Sequence, residues 1–108
     1  MAKYEKVIYI SHKFGGDKNN LEEIENIVRC LVKIHPQYLF VSPVHTFGYL
    51  YDDVDYDTGL NYTLWLLGKC DEVWITGSEW SSSKGVLAEI DYCKNNGIPY
   101  KILWEQGE

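Results

Sequence analysis

The chain lacks the marks of several large function classes. No apolar run approaches the roughly 20 residues that a membrane-spanning helix needs, so a membrane is not expected as a partner. Basic residues are scarce: ten stand against sixteen acidic ones, for a net charge of −6. A nucleic-acid polymer binds through its phosphates to clustered basic side chains, so that partner is not expected either. A single nucleotide, which needs only a few local donors, remains compatible with this charge. Neither G-x-x-x-x-G-K-[ST] nor G-x-G-x-x-G occurs, so the two commonest phosphate loops are missing. Cysteines are few, and Cys30, Cys70 and Cys93 form no C-x-x-C pair. An odd count at wide separation fits a reduced, cytoplasmic protein better than a disulfide scaffold. Cys30 and Cys93 fall in expected helices and read as small buried hydrophobes. Met1-Ala2-Lys3-Tyr4 leads directly toward a strand, without the pattern of a secretory signal peptide. Repeats, linkers and low-complexity tracts are absent.

What is present suffices for one packed domain over residues 1–108, since 45% of the residues are hydrophobic. Lys6–Ile10 reads as a buried strand, and Ser11–Asp17 as the loop that follows. Asn19 or Asn20 is expected to cap a helix carrying Glu22 and Glu23 in its first turn. Its buried stripe is Leu21, Ile24, Ile27, Val28, Leu31 and Val32, and Pro36 stops it. Tyr38–Val41 reads as the second strand, followed by a long loop from Ser42 to about Tyr56. Asp57 caps a second helix with Leu60, Leu64, Trp65 and Leu67. Asp71–Thr76 forms a third strand. A Ser/Gly-rich loop, Gly77–Ser83, leads into a helix from about Lys84 to Asn95 that Asn96-Gly97 closes with a left-handed cap. Pro99–Trp104 is the last strand.

Strands alternating with helices imply a mainly parallel sheet with helices on both faces, an α/β fold of the flavodoxin-like or Rossmann-like kind. Ligands of such sheets bind at the carboxyl ends of the strands. Three loops fall there: Ser11–Asp17, Ser42–Tyr56 and Gly77–Ser83.

Each loop offers chemistry, and each has a plainer reading. Ser11-His12-Lys13-Phe14-Gly15-Gly16 can cradle a phosphate, with glycine backbone close to the anion and Lys13 as charge, or serve as an ordinary β–α turn. Asp53-x-Asp55-x-Asp57-x-Gly59 resembles a calcium loop only superficially, because the glycine falls one place late and Leu64 stands where a bidentate glutamate belongs. His12 and His45 lack further ligands at zinc spacing, so no metal is expected, and both read as ligand contacts or structural residues. Tyr49, Tyr51 and Trp80 are loop aromatics on which a base can stack. Glu89, among Val86, Leu87 and Ile90, is either a solvated acid favoured by the helix dipole or a buried one with a function.

Four pieces together carry a family likeness: Tyr9-Ile10-Ser11-His12-Lys13-Phe14-Gly15-Gly16, Ser42-Pro43-Val44-His45, Leu64-Trp65-Leu66-Leu67 running into Cys70-Asp71-Glu72-Val73-Trp74, and Ser83-Lys84-Gly85-Val86 running into Ala88-Glu89-Ile90. On these the chain resembles the nucleoside 2-deoxyribosyltransferase-like superfamily, especially its short bacterial and phage members. The resemblance implies N-glycosidic chemistry on a nucleoside or nucleotide, without a cofactor, in a homo-oligomer whose sites borrow neighbouring residues. Glu89 matches the family's nucleophile, and Ser83 a residue that contacts the sugar or its phosphate. Lys13, Gly15 and Gly16 lie where members hold the 5′ end. The expected ligand-binding set is Ser11, His12, Lys13, Phe14, Gly15 and Gly16 from the first loop, His45 from the second, Asp55 and Asp57 from the acidic stretch, and Ser83 and Gly85 from the third. One departure stands out. Many active members carry an aspartate eight residues before the position of Asp71, and here that residue is Thr63. The alternative function is therefore a non-catalytic protein, of a phage anti-defence type, that captures a nucleotide-derived ligand or signal.

Overall fold

A computed structural model describes residues 3–103. Its elements are β1 (Lys6–Ser11), α1 (Lys18–Ile34), β2 (Tyr38–Val41), α2 (Pro43–Phe47), a 3-10 turn (Gly48–Leu50), α3 (Tyr56–Leu67), β3 (Glu72–Ile75), a second 3-10 turn (Trp80–Ser82), α4 (Lys84–Asn96) and β4 (Tyr100–Ile102). The four strands are parallel, in the order β2-β1-β3-β4. This is the expected α/β architecture, with helices on both faces of the sheet.

Strand alternation decides what each face carries. In β1, Ile8 and Ile10 turn toward α1 and pack with Leu31, Trp74, Tyr38 and Phe40. Tyr9 turns the other way, into a core with Val73, Ile75 and Leu67 that the α4 residues Val86, Ile90 and Cys93 complete. Ser11, two residues beyond Tyr9, shares that second face and is fully buried. The order of strands reverses at β1: the chain leaves β1 for β2 on one side, and β3 lies on the other. Loops diverge at such a point and leave a crevice at the strands' carboxyl ends.

Several expected boundaries move, each for a local reason. Asp17, not Asn19 or Asn20, caps α1, accepting from the Asn19 N–H at 2.8 Å, while the Asn20 side chain donates to the Phe14 carbonyl. Val32 is exposed rather than part of the buried stripe, because α1 turns it away from the sheet. The helix ends at Ile34, as the proline at 36 requires, since the residue before a proline avoids helical geometry. The long loop after β2 contains α2, started by Ser42 as cap and Pro43 in the first turn, a usual opening for a helix. Asp55, not Asp57, caps α3, accepting from the Thr58 N–H at 2.8 Å; Asp57 falls in the first turn. Cys30 is exposed, on the outer side of α1, whereas Cys93 is buried as expected. The third strand is shorter than Asp71–Thr76, although the Asp71 and Thr76 N–H groups still bond to Val7 and Ser11 of β1. The last strand is shorter than Pro99–Trp104, and Trp104 lies outside the described residues. Gly97 takes the left-handed cap, with φ 67° and its N–H on the Cys93 carbonyl. At the described edge of the sheet, Lys101 in the middle of β4 lays its ammonium over the Trp74 ring.

Candidate functional site

The apolar stripe of α4 contains one acid. Val86, Glu89, Ile90 and Cys93 recur at the spacing of a buried helical face. Glu89 keeps only 6% of its surface exposed, so the solvated reading is set aside. Two hydroxyls from β1 hold its carboxylate. Tyr9 donates to Oε2 at 2.5 Å, and Ser11 donates to Oε1 at 2.6 Å. The two donors stand two residues apart, which is why one strand face delivers both. The Thr63 hydroxyl, which donates to the Leu60 carbonyl at 2.8 Å, also stands close enough to favour the ionised carboxylate. No lysine, arginine or histidine pairs with Glu89 among the described residues. Burial raises its pKa above the usual 4.5, and the Ser11, Tyr9 and Thr63 hydroxyls work against that rise. Burial and the neighbouring carboxylate push the Tyr9 phenol well above its ordinary range, so it stays a donor.

Glu89 borders a cavity of about 520 Å³, within the range of small-molecule sites. Phe14, Phe47, Leu50, Tyr51 and Val54, from the β1 loop and the α2 region, make a hydrocarbon wall. The N-caps of α3 and α4 add Asp55 and Ser83, and the bodies of those helices add Thr63 and Glu89. Ser83 caps α4 by accepting from the Val86 N–H, so its side chain already has a structural partner. Lys13 and Lys84 are the cations of the lining, and both are engaged. Lys13 binds Glu79 at 2.7 Å, and Lys84 lies 4.7 Å over the Tyr56 ring. Hydrogen bonds from Thr58 hold Asp55 below its usual 3.8, so it is ionised at neutral pH.

Of the expected ligand residues, His12, Lys13, Phe14, Gly15, Asp55, Ser83 and Gly85 border this cavity together with Glu89. Ser11 stands behind Glu89. Gly16, His45 and Asp57 are not in the lining. His45 turns to Ser42 at 2.8 Å and to Glu25 of α1 at 3.2 Å. His12 is buried, with Nδ1 on the Lys13 carbonyl at 2.6 Å and Nε2 on Glu23 at 3.2 Å. It borders both this cavity and a smaller polar pocket of about 70 Å³ beside Thr76 and Glu79. No group of three acidic, histidine or cysteine side chains fit to hold a metal occurs among the described residues. Spacing alone passed over Tyr9, which reads as ordinary strand core. Its signal is the pair Tyr9 and Ser11 on one face of a strand that must meet the following helices.

Residues 6–103 match a family described as Domain of unknown function (DUF7768), and the chain belongs to that family. No curated protein and no solved structure matches the chain.

Proposed function

We propose that the protein cleaves the N-glycosidic bond of a nucleoside or nucleotide, by hydrolysis or base exchange, through a glycosyl ester on Glu89. One observation carries the reading. Glu89 is a buried carboxylate without a cationic partner among the described residues, held by neutral hydroxyls, and it borders a cavity of ligand size. Burying such a charge is costly, and proteins tolerate the cost mainly at functional sites. A carboxylate oxygen would attack the anomeric carbon as the base departs with the bonding pair. Water or a second base would then attack the same carbon, its proton passing to the departed base, and the ester bond would break to release the carboxylate. This is the chemistry implied by the resemblance to the nucleoside 2-deoxyribosyltransferase-like superfamily.

A second reading rests on Thr63 and Asp55. A departing base needs a proton. Thr63 stands beside Glu89 where many members carry an acid, and the other carboxylate of the lining, Asp55, is ionised in a helix cap. A cavity without a carboxylic acid to protonate the base fits a protein that captures a nucleotide-derived ligand and leaves it intact.

The proposal includes the cytoplasm, where the three free cysteines would stay reduced. It also includes self-association through the outer face of α3. No helix among the described residues is long and apolar enough to cross a membrane.

Chromatography of free base released from a panel of nucleosides and nucleoside monophosphates separates the readings. Glycosidic chemistry predicts release by the native protein and loss of several orders of magnitude in Glu89→Gln, because an amide cannot form the ester. Ligand recovered unchanged with the native protein supports capture instead. Equal release by Glu89→Gln overturns the nucleophile.

A further inference from the structure

The loop after β1 and the turn after α2 meet beside the cavity. Gly16 there takes φ +73°, and a Cβ on it would fall 2.8 and 2.9 Å from two carbons of the Tyr51 ring. Only glycine leaves that ring its place. Phe14 meets the same ring edge to face, with centroids 5.4 Å apart and planes at 79°. The Tyr51 N–H donates to the Gly48 carbonyl at 3.1 Å, which fixes the backbone. The ring is thus held on the Gly16 and Phe14 sides. Yet Tyr51 remains 52% exposed and borders the cavity. A fixed, half-exposed aromatic ring facing a cavity is a stacking surface for a flat ligand.

The rest of the cavity gives that surface a direction. Phe14, Leu50 and Val54 offer hydrocarbon to the cavity beside Tyr51, while α3 and α4 contribute the Thr63 hydroxyl and the Glu89 carboxylate. We propose that Tyr51 is the stacking wall of the site: it takes the flat heterocycle of the ligand, leaves the sugar toward Glu89, and reads the base by its face rather than its edges. The inference rests on the cavity being a nucleoside site. Because hydrocarbon cannot read donors and acceptors, purines with different edge groups should bind alike.

Calorimetric titration with adenosine, inosine, adenine and ribose tests this on the native protein, Tyr51→Phe and Tyr51→Ala. Loss of one base–aromatic stack weakens binding by about fivefold to a hundredfold, so Tyr51→Ala should weaken adenosine, inosine and adenine by that much. Tyr51→Phe should stay within about threefold of the native protein, since the ring face is kept. Ribose should respond to neither change. Adding Gly16→Ala should weaken adenosine in the native background, where it crowds the ring, and have no further effect in Tyr51→Ala. Circular dichroism confirms folding of each variant. Adenosine binding unchanged in Tyr51→Ala overturns the wall and leaves the nucleoside reading standing. Adenine binding that depends on Tyr51, with no binding of either nucleoside, keeps the wall and overturns the nucleoside reading. A native protein that binds none of the three aromatic probes overturns both.

Discussion

The Tyr9 hydroxyl donates to Oε2 of Glu89 at 2.5 Å, joining the central strand to the middle of α4. Tyr9→Phe keeps the ring in the core and removes the donor. A buried carboxylate that loses a hydrogen bond costs about 1–3 kcal/mol, so the variant should be destabilised by that amount at neutral pH. Urea denaturation measures it. The same loss should raise the Glu89 pKa further, and any pH profile that depends on ionised Glu89 should move to higher pH. A profile that stays in place would show that Tyr9 does not set the charge on Glu89.

Burial raises the Glu89 pKa in the folded state above its ordinary 4.5. The folded protein therefore binds this proton more tightly than the unfolded chain. Stability from the group is fully present below the unfolded value and is lost as pH rises through the folded one. Glu89→Gln removes the ionisation, so it should be more stable than the native protein at neutral pH. That advantage should shrink as pH falls toward 4.5. Melting temperatures of both proteins across this range give the comparison, and a constant difference refutes the raised pKa.

Gly77 has φ +88°, and a Cβ on it would lie 2.7 Å from Nε2 of His12. Gly77→Ala should lose about 1–3 kcal/mol from the backbone alone, with the collision added. In a His12→Ala background only the backbone part should remain. Urea midpoints of the four proteins separate the two contributions.

Ser83 borders the cavity and also caps α4. Ser83→Ala should lose about 0.5–2 kcal/mol of stability, whereas Ser83→Asn should restore the cap. If Ser83 also touches ligand, adenosine binding should stay impaired in the asparagine variant after stability has returned. Thermal melts and titrations on the same samples distinguish cap from contact.

Trp65 is 66% exposed on the outer face of α3, near exposed Tyr62, with the Lys69 ammonium 4.8 Å over its ring. Sedimentation velocity should find a dimer or larger at micromolar concentration. Trp65→Arg should weaken association by at least about tenfold, as loss of a large aromatic contact does. A native monomer at that concentration removes self-association from the proposed function.

The fold was legible because strands buried on both faces read as short continuous apolar runs, and a buried helix face as a helical period. Lys6–Ile10 and Asp71–Thr76 read as strands, and the helix expected from about Lys84 carries Val86, Ile90 and Cys93, the face that α4 buries. Boundaries were less legible where caps compete. Asp17 and Asn19 are both good caps, and the choice depends on which backbone N–H groups the β1 loop leaves free. The five residues of α2 were too few to show a period, although Ser42-Pro43 signals a helix start. The burial of Glu89 was readable from its apolar neighbours as one of two options. Its two donors were not, because Tyr9 and Ser11 lie 80 and 78 residues away. The fit of Tyr51 against Gly16 is equally nonlocal, and no spacing rule reaches it.

The edge strand β4 of the described sheet has a consequence for aggregation. It is three residues long and carries Lys101 at its centre. An incoming strand would find few free backbone groups there and a positive charge beside them, a combination that discourages edge-to-edge pairing and the fibrils that grow from it. Growth of the sheet through β4 is thereby disfavoured, and any assembly that avoids this edge can close on itself instead of propagating.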